Sequence, residues 1–164
     1  MNTTTLRVMD IVPGTSVDGP GLRTSIYFAG CSHRCAGCHN PQSWPFDAGR
    51  DMTIGQIMEI VEENGFNVTF TGGDPMYQPR AIAELADHLH AKGYSIWCYT
   101  GFTFSQLMDD AEMQEALRRC DVIVDGPFQL SERDTSLRFR GSSNQRLIDV
   151  AKSIATGNIS LWND

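Results

Sequence analysis

Three cysteines within one short stretch, Cys31, Cys35 and Cys38, are the residues of this chain best suited to chemistry. Their spacing, C-x3-C-x2-C, places three thiolates on one loop, close enough to hold three corners of a cubane iron–sulfur cluster. Such clusters ordinarily take four cysteine ligands. A set of three leaves one iron open to a further ligand, which suits catalysis better than electron storage. Structural zinc is the competing reading, but zinc wants a closed tetrahedron, commonly built from two ligand pairs. There is no second cysteine pair, because Cys98 and Cys120 stand apart and read as small core hydrophobes. His33 or His39 could supply a fourth zinc ligand, so that alternative stays open.

Other patterns gather around the cysteines. The run Asn67-Val68-Thr69-Phe70-Thr71-Gly72-Gly73-Asp74-Pro75 reads as a strand entering a glycine pair. Glycines let a backbone approach a ligand closely. Exposed backbone groups at Gly72 and Gly73, with Asp74 nearby, could therefore bind the amino and carboxylate ends of an amino acid. An ordinary βα turn is the plain alternative. Thr100-Gly101 and Asp125-Gly126-Pro127 also follow strand-like runs. In a parallel sheet, loops at the carboxyl ends of strands share one rim, where ligands bind. Asp125 reads as a rim carboxylate that orders the site or binds a cation, with turn stabilisation as the alternative. Asp18-Gly19-Pro20-Gly21 reads as a plain turn.

Between residues 133 and 146 lie four arginines, Arg133, Arg138, Arg140 and Arg146, against one acidic residue, Asp134. Ser142, Ser143 and Asn144 sit among them. The segment reads as a docking surface for an acidic partner or as a solvated loop. His88 and His90 read as surface residues. Trp44, Trp97 and Trp162 are too scattered along the chain to suggest stacking of bases.

The elements that must carry these loops follow from periodicity. Strand-like runs occur at residues 24–29, 67–71, 94–100 and 121–124, with a last candidate at 145–150 and a further strand near the N-terminus. Ile54, Ile57, Met58 and Val61 share a helical face, started by a Thr53/Gln56 capping box and ended at Gly65. Ile82, Leu85, Ala86 and Leu89 share another, opened by Pro79 and closed at Gly93. A third helical region, residues 104–119, is less regular and breaks near Asp110. Strand, loop and helix in alternation imply a parallel α/β sheet with right-handed crossovers. The strands are too few for a closed eight-stranded barrel, so an open partial (β/α) barrel with parallel strands is expected, a doubly wound sheet being the alternative.

The 164 residues suit one domain, spanning residues 1–164, and can bury a sizeable core. A net charge of −7 opposes general binding to nucleic acid or to an anionic membrane. No apolar run reaches the eighteen residues of a membrane span. The start of the chain lacks the apolar stretch of a secretory signal, and five cysteines in such a chain do not read as a disulfide framework. A cytoplasmic protein is expected.

Taken together, the motifs resemble the radical S-adenosylmethionine activases of glycyl-radical enzymes. The cysteine spacing, the ending Cys38-His39-Asn40, the run Ser16-Val17-Asp18-Gly19-Pro20-Gly21-Leu22-Arg23 and Gly72-Gly73-Asp74-Pro75 carry the likeness, which spans about residues 8 to 146. Within that family the short length, Val124-Asp125-Gly126-Pro127-Phe128 and Arg140-Gly141-Ser142-Ser143-Asn144-Gln145 are most similar to the branch serving anaerobic ribonucleoside-triphosphate reductase, rather than pyruvate formate-lyase. The resemblance implies a [4Fe–4S] cluster on Cys31, Cys35 and Cys38 whose open iron is chelated by S-adenosylmethionine. It implies that Gly72, Gly73 and Asp74 hold the methionine part, with backbone at Gly37, Cys38 and His39 near the adenine. Many superfamily members carry an aromatic residue where this chain has Gly37. The implied partners are the large reductase subunit and a low-potential electron donor such as a flavodoxin. Arg138, Arg140, Ser142, Ser143 and Asn144 are the candidates for docking.

Overall fold

Local signals place the helices, and long-range pairing places the sheet edges. In the computed structural model, residues 4–31, 33 and 44–163 are described. The first helix, α1 (Ile54–Asn64), starts at the expected capping box, with Thr53 accepting from the Gln56 N–H, and turns Ile54, Ile57, Met58 and Val61 inward. The second, α2 (Pro79–Ala91), begins on Pro79 and buries Ile82, Leu85, Ala86 and Leu89. The irregular third region is two helices, α3 (Phe104–Asp109) and α4 (Ala111–Arg118). Asp110 separates them because its side chain caps α4, accepting from the N–H groups of Glu112 and Met113. A short α5 (Val150–Thr156) follows the last strand.

Seven strands form one open sheet. In chain order they are β1 (Thr5–Thr15), β2 (Arg23–Phe28), β3 (Arg50–Thr53), β4 (Asn67–Gly72), β5 (Ile96–Tyr99), β6 (Val122–Asp125) and β7 (Arg146–Asp149). Their order across the sheet is β3-β1-β2-β4-β5-β6-β7. The central four, β2, β4, β5 and β6, pair in parallel. The expectation of parallel strands throughout needs correcting at the edges, because β1, β3 and β7 all join antiparallel. The sheet remains open, with β3 and β7 as its outer strands.

This order decides where a ligand can go. Each crossover from β2 to β6 steps to the next strand in the same direction, so right-handed connections put the intervening helices on one face. That face holds the main core, where Ile26, Phe28, Val68, Phe70, Ile96, Cys98 and Ile123 meet the helices. Cys98 and Cys120 are both buried there, as the sequence suggests. The opposite face carries Arg23, Ser25, Tyr27, Thr69, Thr71, Trp97 and Tyr99, residues that alternate with the core set along their strands. It is only partly covered. Trp97, Val122 and Val124 pack there with Phe139, Leu147 and Trp162. Trp97 and Trp162, distant in sequence, meet at 4.9 Å between ring centroids. No helix among the described residues is long and apolar enough to cross a membrane.

Candidate functional site

The end of β2 and the end of β4 lie side by side, in register at Phe28 and Gly72. The chain then leaves both strands through loops that are tied together. The Gly73 N–H donates to the Phe28 carbonyl at 2.8 Å, and the Asp74 N–H donates to the Gly30 carbonyl at 2.8 Å. Cys31 follows directly, 8% exposed and in no disulfide. Its N–H donates to the Trp44 carbonyl at 3.0 Å, so the cysteine loop leaves and returns at one point. Cys31, His33, Gly72 and Gly73 line a single cavity of about 110 Å³ at this rim. Cys35, Gly37, Cys38 and His39 lie outside the described residues.

Asp74 stands behind this cavity, fully buried. Its carboxylate accepts from the Met76 N–H at 3.0 Å, from the Thr100 hydroxyl and the Gly101 N–H at 2.9 Å each, and from His33 Nε2 at 2.9 Å. The first three donors come from the glycine turn and from the loop after β5. The fourth comes from the cysteine loop. These bonds use the carboxylate within the protein.

A second cavity, about 420 Å³, adjoins the first and shares Thr71, Tyr99, Phe128 and Gln145 with it. Asp18, Tyr27 and Arg140 also line it. The Asp18 carboxylate accepts from the Ser25 hydroxyl at 2.9 Å and from the Tyr27 hydroxyl at 3.4 Å. Burial, reinforced by the negative charge of Asp18, pushes both Tyr27 and Tyr99 above the ordinary tyrosine range, so both phenols keep their protons. Tyr99 donates to the Phe139 carbonyl at 2.6 Å, tying the loop before β7 over the open face. The run Asp18-Gly19-Pro20-Gly21 therefore does more than turn the chain, since it supplies a carboxylate to a cavity. It is held by Thr69, whose hydroxyl donates to the Asp18 carbonyl at 2.6 Å, and by Arg23, whose guanidinium donates to the Pro20 carbonyl at 3.4 Å and to Thr69 Oγ1 at 2.9 Å. Burial lowers the Arg23 pKa from its ordinary value.

Asp125 and the arginine segment are placed differently from one another. Asp125 is 1% exposed and accepts from the Phe104 N–H at 2.9 Å and from both Nε and Nη2 of Arg146, at 3.0 and 2.6 Å. It braces β6 against the start of α3 and against β7. In turn, its hydrogen bonds hold the Arg146 pKa above the usual value. Arg146→Met should strip two charged donors from a buried carboxylate, at a cost of about 2–3 kcal/mol. For a domain of this size that lowers the melting temperature by roughly 5–10 °C in a thermal scan.

Ser142 is buried and accepts from the Gln129 N–H, and Asn144 donates to the Pro127 carbonyl. Ser143 bonds Glu132 at the surface. Arg138 lies exposed over the Phe139 ring, while Arg140 donates to the Gln145 carbonyl and faces the larger cavity. The polar run thus divides into inward residues that shape the loop and two arginines at its outer side.

Asp18, Arg23, Thr100 and Gln145 show in the sequence only as members of turn and motif runs, and the cavity-lining Tyr27 and Tyr99 escape it. Their one signal is alternation of polar and aromatic residues along strands whose other face is apolar, and that pattern equally describes a solvated sheet face.

The rim therefore presents a cysteine loop and a glycine turn at the carboxyl ends of neighbouring parallel strands, beside a polar open face. The described part of the donor set fits an iron–sulfur cluster: a cysteine sulfur in no disulfide, at the strand end, lining a cavity. Residues 17–148 match the family of 4Fe-4S single cluster domains, which defines the class and supports an iron–sulfur cofactor. A protein of Pasteurella multocida is 34% identical over 144 residues, covering 81% of this chain and 90% of its own length. One of Escherichia coli K12 is 32% identical over 143 residues, covering 81% and 92%, and one of phage T4 is 34% identical over 145 residues, covering 84% and 90%. All three are named anaerobic ribonucleoside-triphosphate reductase-activating protein, and this chain belongs to that family.

Proposed function

We propose that the protein is a radical S-adenosylmethionine enzyme that activates the anaerobic ribonucleoside-triphosphate reductase by generating a glycyl radical on its large subunit. In this reading Cys31, Cys35 and Cys38 hold a [4Fe–4S] cluster, and the open sheet is the partial barrel of the radical S-adenosylmethionine type. When bound, the cluster supplies one electron to the sulfonium of S-adenosylmethionine, releasing methionine and a 5′-deoxyadenosyl radical that takes a hydrogen atom from the glycine Cα. The observation that carries the reading is that Cys31, Gly72 and Gly73 share one cavity, which opens beside a second, larger one.

The residues divide the work. The Gly72-Gly73 backbone receives the methionine end, and backbone at Gly37–His39 serves the adenine. Asp18, Tyr27 and Tyr99 line the larger cavity, where the glycine-bearing segment of the reductase enters. Both tyrosines stay protonated there, with their O–H groups donated to Asp18 and the Phe139 carbonyl, so they line the cavity without adding charge. Phe139 and Arg140 cover that cavity from the loop side and, with the docked partner, keep water from the radical. The electron comes from a low-potential donor such as a flavodoxin, in the cytoplasm.

The test is anaerobic reconstitution with iron and sulfide, reduction, and assay for 5′-deoxyadenosine with and without the reductase. Deoxyadenosine together with a glycyl-radical signal on the reductase is expected. Uptake of a single zinc ion and no deoxyadenosine would sink the reading. Docking has its own test. Arg138→Glu should slow activation of the reductase roughly tenfold at low salt, because rim charges act mainly on the association rate. Cleavage of S-adenosylmethionine without the reductase should be unchanged, and equal loss of both rates would remove Arg138 from the docking surface.

A further inference from the structure

The fully buried carboxylate of Asp74 joins three separate loops, and one of its four donors is a histidine two residues beyond the first cysteine. In its Nε2–H tautomer His33 donates the 2.9 Å bond to this carboxylate. The imidazole sits in a fitted recess. Its ring lies 4.7 Å from Phe102 and 5.7 Å from Tyr77 between centroids. A Cβ added at Gly101 would meet His33 Cδ2 at 2.5 Å and Nε2 at 2.7 Å, so only glycine leaves room for the ring. The histidine side chain is 17% exposed. A surface loop residue needs neither a built recess nor a bond to a buried carboxylate.

We infer that His33 is a positioning residue: through Asp74 it fixes the distance between the cysteine loop and the Gly72-Gly73 turn. The inference rests on the reading above, in which one cosubstrate spans from the cluster to that turn. A ligand held at both ends loses affinity when its two anchor points move independently. The backbone bonds from Gly73 and Asp74 to Phe28 and Gly30 hold the base of the cysteine loop. His33 holds it further out, beyond Cys31. Asp74 thereby acts as the strut between the two anchor points and is not itself the acceptor for the methionine ammonium.

The experiment compares wild type, His33→Leu and His33→Gln after reconstitution. Iron and sulfide content is measured, and the change that S-adenosylmethionine makes in the electron paramagnetic resonance signal of the reduced cluster is then titrated. Glutamine places an amide N–H close to where Nε2 lies, whereas leucine fills the recess without a donor. His33→Leu should raise the half-saturating concentration by roughly 10–100-fold, the usual effect of losing a supporting contact behind a metal site. His33→Gln should restore it to within about threefold of wild type.

Thr100→Val removes another donor from the same carboxylate, from the loop after β5 and not from the cysteine loop, and should shift half-saturation the same way by a smaller factor. It keeps the inference testable if the His33 variants fail to fold. Unchanged half-saturation in His33→Leu and Thr100→Val would overturn the inference, as would His33→Gln behaving as badly as His33→Leu. A wild-type signal indifferent to S-adenosylmethionine would instead overturn the proposed function on which it rests.

Discussion

Replacing Cys31 with alanine is expected to leave a folded protein that assembles no four-iron cluster and releases no 5′-deoxyadenosine. The change removes one sulfur from a small side chain at the edge of the core, 8% exposed, so its packing cost is small. Under the proposed function its chemical cost is large, because two remaining thiolates would not fix a cubane built on three. Iron and acid-labile sulfide per chain, the visible absorbance and the deoxyadenosine assay should all fall together, while the far-ultraviolet circular dichroism stays that of wild type. Cys98→Ala provides the contrast. Burial pushes the Cys98 thiol well above its ordinary value, which keeps it from becoming the thiolate that metals bind. Cluster content should be unaffected there. Full iron and full cleavage in Cys31→Ala would take Cys31 out of the site.

The second large effect is expected at Gly72. Its φ of +106° is one that side-chain-bearing residues rarely adopt, and a Cβ there would run into the backbone N and O of Phe28. Those are atoms of the neighbouring parallel strand, held in register by the ladder, and cannot swing aside as a side chain can. Gly72→Ala must push β2 and β4 apart at the point where both loops leave the sheet. A cost of about 3 kcal/mol or more follows from the strained backbone and the forced strand separation together. That lowers the melting temperature by roughly 6–12 °C. The displaced turn should also weaken binding of S-adenosylmethionine in the reconstituted protein. Gly65→Ala is the useful comparison: φ there is also positive, +71°, but an added Cβ meets nothing within 4 Å. A melting temperature for Gly72→Ala equal to that of Gly65→Ala would show that the close approach of the strands is not limiting.

The helices and the central strands were legible in sequence because local chemistry specifies them. Thr53 with Gln56 sets the start of α1, Pro79 the start of α2, and the apolar runs of β2, β4, β5 and β6 have one face against helices. The edges were less legible. Nothing local in Arg50–Thr53 distinguishes a strand from a loop: the segment becomes β3 because β1 offers it a partner. The direction of β7 is likewise set by pairing with β6, from Val122 with Asp149 to Asp125 with Arg146, and not by its own residues. At the site, the cysteine spacing and the glycine pair stood out because few other uses need them. Asp18, Arg23 and Thr100 showed only as members of turn and motif runs, since what each does depends on a distant partner, Thr69 for the first two and Asp74 for the third.

The hydrogen bond from the Cys31 N–H to the Trp44 carbonyl, with the Phe46 ring lying against Gly30, makes the connection between them a closed ring before any metal arrives. The chain entropy lost in bringing the ends of such a ring together grows with its length, and here that loss is incurred when the sheet folds. Metal uptake then does not have to bring the two ends of that connection together. Iron and sulfide should therefore enter the folded apoprotein readily, in one step and without global refolding.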